Sequence, residues 1–125
     1  MTTNIPAVIN EYPAAINNLD ADAYVATFAS DAIYELVGAP PFEGHAGVRQ
    51  FFEGTGGLFS KINIRWTFVH LVDQEVAIKW AADGVGKNGQ AVSFEGIDLW
   101  TLNGAGKIQT IRAYWNPEPV VAKLS

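Results

Sequence analysis

The chain has 125 residues, 49% of them hydrophobic and 17% charged, with no cysteine and a formal net charge of -5. That length predicts one domain over residues 1–125 with a real core, and the missing cysteines exclude disulfides, thiol catalysis and cysteine-ligated zinc. Eight Lys+Arg against 13 Asp+Glu, without a basic cluster, argue against nucleic acid as a partner.

No apolar run approaches the ~20 residues of a membrane helix, and the opening Met-Thr-Thr-Asn lacks a signal peptide's basic flank. A soluble, cytoplasmic protein with no membrane partner is expected. Four Trp, four Tyr and seven Phe carry much of the apolar mass, which suits a chain wrapped around a hollow.

In chain order, the first half reads helical. Asn4 is placed to cap a helix with Pro6 just inside its start. Val8, Ile9, Tyr12, Ala15 and Ile16 then fall on one helical face, interrupted by Pro13, which should bend the helix or remove a hydrogen bond. A second short helix is predicted from Asp20–Asp22 through Tyr24, Val25 and Phe28. Ala32 to Val37 alternates as a strand, and Gly38-Ala39-Pro40-Pro41 is a turn. A third helix should start near Gly44–His45 and turn Val48, Phe51 and Phe52 inward.

From Ile62 the period becomes two. Ile62, Ile64, Trp66 and Phe68 share a strand face, as do Val76, Ile78 and Trp80 on the next strand. A third strand runs from about Ala91 to Leu102, Asn103-Gly104-Ala105-Gly106 makes a hairpin turn, and a last strand covers about Lys107 to Trp115. Helices first and antiparallel strands after predict an α+β fold with the helices on one sheet face.

Three ionisable residues stand on otherwise apolar faces. Asp98 shares its side of the strand with Val92, Phe94, Gly96, Trp100 and Leu102, although Ile97 and Leu99 could equally mark the inner face. If buried, its carboxyl must find a proton or a partner. Glu35 shares a face with Ile33 and Val37; it is either a cleft residue or an edge-strand charge that blocks further pairing. Tyr12, on the first helix, is either a satisfied core tyrosine or a donor aimed at a ligand. A phenol and a neutral acid can donate to one developing oxyanion while a second carboxylate moves a proton. His45 and His70 lack metal-ligand spacing, so no metal is expected; His45 reads as a helix-start residue and His70 as a core or pocket residue.

From Glu11-Tyr12 through Phe28-Ala29-Ser30-Asp31-Ala32 and Tyr34-Glu35-Leu36-Val37-Gly38, then Gly96-Ile97-Asp98 to Arg112-Ala113-Tyr114-Trp115, the chain resembles the ketosteroid isomerase (steroid Δ5-isomerase) family of the NTF2-like and SnoaL-like superfamily. The resemblance implies a cone of curved antiparallel sheet wrapped by helices, and a homodimer formed through the sheet. By the same resemblance Tyr12 is the oxyanion-hole tyrosine, Asp98 the acid held protonated beside it, and Glu35 the proton shuttle; ketosteroid isomerase is itself a standard example of such pKa tuning. Glu35 departs from the family's aspartate, and Phe52 stands where some members place a second tyrosine. The implied reaction is cofactor-free double-bond isomerisation of a 3-oxo-Δ5-steroid or similar apolar ketone. Trp66, Phe68, Trp80, Phe94, Trp100 and Phe52 are the candidate apolar walls. The alternatives are another SnoaL-like enzyme (polyketide cyclase, dehydratase or epoxide hydrolase) or a non-catalytic domain that binds an apolar ligand or a protein partner.

Overall fold

A computed structural model describes residues 5–125, so the cap expected from Asn4 lies outside the described residues. Helix α1 (Val8–Asn17) starts two residues after Pro6, and Ala7 at its cap position offers no side-chain bond. Helix α2 (Ala21–Ala26) is capped by Asp20, whose carboxylate accepts from the Ala23 N–H at 3.1 Å. It stops before Phe28, which opens strand β1 (Phe28–Leu36) rather than ending the helix as its sequence suggested. A two-residue strand β2 (Phe42–Glu43) leads into α3 (Gly44–Gly56), which buries Val48 and Phe52 as expected. The strands β3 (Phe59–Val72), β4 (Glu75–Gly86), β5 (Ala91–Leu102) and β6 (Ile108–Tyr114) follow, and a short α4 (Glu118–Leu124), unforeseen in the sequence, ends the fold.

The α+β architecture is as expected: a curved, unclosed six-stranded sheet in the order β2-β1-β6-β5-β4-β3 with helices against its inner face. It is not wholly antiparallel. β1 lies parallel to β6, with Glu35 opposite Arg112 and Leu36 opposite Ala113. A parallel pair needs a long crossover, and here everything from β2 to β5 serves as that connection.

The strand faces follow the two-residue period except where the ladder slips. Trp66 pairs with Trp80, but Phe68 pairs with Lys79, leaving Thr67 as an extra residue in β3. The slip turns Phe68 outward, where it is 57% exposed and stacks near His70, 6.3 Å between ring centres. Phe68 is therefore no cavity wall and His70 no core residue. Both errors come from carrying one alternation through a bulge.

Pro13 lies inside α1 without ending it. Having no N–H, it cannot bond the carbonyl of Ile9 four residues earlier. The Trp66 indole N–H donates to that carbonyl at 2.7 Å instead. Two further bonds join α1 to β3: the Asn17 amide donates to the Ile64 carbonyl at 3.1 Å and accepts from the Ile64 N–H at 2.6 Å. These ties lie on either side of Tyr12 and fix the helix against the sheet.

If the Ile9 carbonyl depends on Trp66 because of Pro13, Trp66→Phe should cost about 1–3 kcal/mol. Part of that cost should vanish in a Pro13→Ala background, where a backbone N–H restored at this position can supply the missing donor. Urea unfolding of the four proteins in this cycle measures the coupling; strictly additive effects would disprove the dependence.

Candidate active site

The inner faces of β4 and β5 converge on Asp98. In β5 the residues Asp98, Trp100 and Leu102 are buried, whereas Ile97 and Leu99 are exposed on the outer face. The open question about Asp98 is thereby answered: it points inward and is 3% exposed. Register supplies its partners. Ile78 of β4 lies opposite Asp98, so Trp80, two residues on, faces the same way. The Trp80 indole N–H donates to Oδ1 at 3.0 Å and the Trp100 indole N–H to Oδ2 at 3.2 Å. Gly96, opposite Trp80, has no side chain because a Cβ there would lie 2.6 Å from the Trp80 ring and 2.8 Å from the Trp115 Cβ.

Burial pushes the Asp98 carboxyl up to about 6, and the two indole donors oppose the rise by stabilising its anion. The direction agrees with an apolar setting, and a value about 6 leaves Asp98 near its own titration point, where the carboxyl can hold or accept a proton.

Tyr12, on α1, meets Tyr24 of α2 hydroxyl to hydroxyl at 3.2 Å. In such a pair one hydroxyl donates and the other keeps its hydrogen for another acceptor. The partner that Phe52 cannot offer therefore comes from Tyr24, whose ring packs on Phe52 at 4.6 Å. Tyr12 also meets Trp100 edge to face at 4.8 Å and lies nearly parallel to Trp66 at 6.0 Å. Burial first, then the Tyr24, Tyr34 and Asp98 charges, hold the Tyr12 phenol well above its ordinary value. Burial likewise raises Tyr24 and Tyr34. All three phenols are neutral donors at physiological pH.

Glu35 does not join this group. On β1 the inward residues are Ala32, Tyr34 and Leu36, and Glu35 lies on the other face with Ile33 and Val37. Its side chain is 44% exposed and pairs with Arg112, its neighbour across the parallel ladder, at 3.0 Å. The inward place nearest the loop belongs to Leu36, which carries no proton. Arg112 also lies over the Tyr114 ring at 5.7 Å, so both charges serve the outer sheet face.

Tyr12 and Asp98 line a common hollow with Tyr24, Tyr34, Phe52, Trp80 and Phe94. It measures about 70 Å³, or about 560 Å³ with its mouth and the gaps between side chains counted. Trp66 and Trp100 stand behind this wall: Trp100 holds Asp98 and both support the Tyr12 ring. Tyr34 and Trp115 are lining residues without a counterpart among the expected walls, and Phe51, expected to face inward from the third helix, lines the hollow as well. The small-large alternation Ala32-Tyr34-Leu36 was the available signal for Tyr34. His45 lies apart and contacts the Phe28 carbonyl through Nε2 at 2.9 Å, joining α3 to β1. Among the described residues no three His, Asp or Glu side chains come together as a metal would need.

The SnoaL-like domain pattern matches residues 9–111. The chain belongs to the SnoaL-like domain family. A steroid Delta-isomerase from Nocardioides simplex is 28% identical to it over 122 residues, covering 97% of each sequence. Among solved structures, the epoxide hydrolase/cyclase-like enzyme SalBIII, which takes part in pyran ring formation in the polyether salinomycin, is 28% identical with a TM-score of 0.77, covering 87% of this chain and 88% of its own. A protein of ketosteroid isomerase-like fold from Catenulispora acidiphila superposes with a TM-score of 0.81 over 96% and 93% of the two chains; at 17% identity it bears on the fold alone. The SnoaL-like fold and the steroid-isomerase resemblance read from the sequence are thus upheld, and relatives at this level of identity are named as enzymes.

The raised Asp98 pKa makes a signed prediction. Between the ordinary 3.8 and about 6 the folded protein retains a proton that the unfolded chain releases. Asp98 therefore favours folding fully below the unfolded value and loses that contribution as pH rises through the folded one. The unfolding free energy of wild type minus that of Asp98→Asn should fall by about 3 kcal/mol between about pH 3 and pH 7. Denaturant titrations at both pH values measure it, and a constant difference would mean an unshifted carboxyl.

Proposed function

We propose that this SnoaL-like chain is a cofactor-independent isomerase that moves a double bond in an apolar β,γ-unsaturated ketone by intramolecular proton transfer, with Asp98 as the proton carrier. The observation that carries the reading is the Asp98 carboxylate, held by two indole donors in a hollow it shares with the Tyr12–Tyr24 hydroxyl pair. A base is most effective when its pKa lies near working pH, and about 6 meets that condition.

In this reading Asp98 removes the proton alpha to the carbonyl. Charge then develops on the carbonyl oxygen, and the free hydroxyl hydrogen of the Tyr12–Tyr24 pair donates to it. Asp98, now protonated, returns the proton two carbons along, so one carboxyl serves both steps and a second is not required. The indoles of Trp80 and Trp100 keep the carboxylate from rotating between transfers. Trp80, Phe94 and Phe52 give the apolar walls that exclude water. The sequence likeness to a steroid Delta-isomerase favours a steroid-like ketone. The hollow at about 70 Å³ is tight for four fused rings, which favours a smaller flat ketone or a ligand whose rings extend through the mouth. The exposed apolar side chains Ile97 and Leu99 on the outer face favour the homodimer expected of the fold.

The test is an absorbance assay of enone conjugation with a β,γ-unsaturated steroid ketone and a monocyclic analogue. Asp98→Asn should lose about 100- to 10,000-fold in kcat, and Tyr12→Phe about 100-fold. Glu35→Gln should retain wild-type turnover and change stability by less than about 1 kcal/mol, because an exposed pair contributes little. Loss of turnover in Glu35→Gln with full activity in Asp98→Asn would reverse the assignment.

A further inference from the structure

The electrostatics of the hollow set a second constraint on what it can hold. Among the described residues Asp98 is the only charged side chain in the lining, and the remaining lining is largely aromatic, including Tyr12, Tyr34, Phe94 and Trp115. Among the described residues no Lys or Arg lines the hollow, and the ion pairs lie elsewhere, at Asp22, Asp83 and Glu35. The two indoles satisfy hydrogen-bonding capacity at Asp98 but carry no net charge. A buried anion without a counter-charge is costly, and aromatic faces are themselves negative. Both effects act in the same direction. They oppose an anionic guest and favour a cation whose charge is spread over apolar groups, since such an ion is shed from water more readily than a compact ammonium.

We propose that the hollow lined by Asp98, Tyr12, Tyr34 and Trp115 binds a small organic ammonium ion, with the carboxylate as counter-charge and the surrounding rings as cation–π partners. The proposal rests on the reading of Asp98 as the charged group of the active site, and it goes further by naming a ligand class. Aromatic surroundings attract such cations most strongly where water is excluded. A trimethylammonium group is compact enough for the narrow part of the hollow, where four fused rings are not. Within the proton-transfer reading, such a ligand occupies the base and competes with the ketone.

The titratable groups that face Asp98 are Tyr12 and Tyr24 from the helices and Tyr34 from β1, all phenols whose raised pKa values keep them neutral. Binding of a permanent cation should therefore follow the ionisation of Asp98 alone. The experiment is isothermal titration calorimetry of the full chain with choline. A control ligand has the same shape with a tert-butyl group replacing trimethylammonium. Choline should bind about tenfold or more tightly than the uncharged ligand at pH 7. Its affinity should weaken toward pH 5, whereas that of the neutral ligand should not change. Asp98→Asn should remove the preference, and the pH series on wild type answers the question even if that variant does not fold.

Equal affinity for the two ligands, a pH-independent preference or no binding of choline would each overturn the proposal. Ketone turnover without choline binding would overturn this inference and leave the isomerase reading in place. Choline binding without turnover would uphold the inference while removing the isomerase.

Discussion

The grip of two indole N–H groups on one buried carboxylate is the interaction on which the site depends. Each oxygen of Asp98 has its own donor, one from the neighbouring strand and one from two residues along the same strand. Without them, burial would leave the carboxyl to take up a proton at neutral pH. With them, the group is held in one orientation and kept near its titration point. The donors come from side chains that also fill the core, so packing and electrostatics are fixed by the same residues. Gly96 belongs to this arrangement, since it leaves room for Trp80 and Trp115 to close over the cavity.

The opposite wall is assembled by a different device. A proline within a helix ordinarily leaves a carbonyl unsatisfied, and here that defect becomes an attachment point for Trp66. Asn17 attaches the end of the same helix to Ile64. Tyr12 lies between these two ties, and its hydroxyl meets Tyr24, so its position reflects contacts from a helix, a second helix and a strand. The phenols and the carboxylate thus reach the hollow from independently anchored elements.

The order of the main helices and strands and the inward facing of Tyr12 were legible because each lies in a segment with a regular period. In β5 both faces are apolar, so alternation identified which residues share a side but could not say which side is inner. The same ambiguity in β1 misplaced Glu35. Ile33 and Val37 suggested a buried face, yet Ala32, Tyr34 and Leu36 occupy it, and both sets are apolar enough to fill a core. Phe68 was misread for another reason, because one extra residue at Thr67 reverses the alternation and leaves no mark in composition. Tyr24 looked like an ordinary helix-face residue until tertiary contact brought it to Tyr12. The short α4 lacked a periodic run long enough to distinguish it from a loop; its burial comes from Val120 and Leu124 packing on Phe59.

The parallel partnership of β1 and β6 has a bearing on how the molecule is made. Phe28 lies beside Ile108, so the early strand, flanked on one side by the short β2, acquires its second neighbour only after every other strand has been synthesised. Contacts between segments so distant along the chain form slowly. Until β6 emerges from the ribosome, β1 retains an unmatched border and the tyrosines above it lack a floor. Assembly of the cavity is therefore expected to be a late and cooperative event in biogenesis, with the nascent chain open to mispairing along β1 until then.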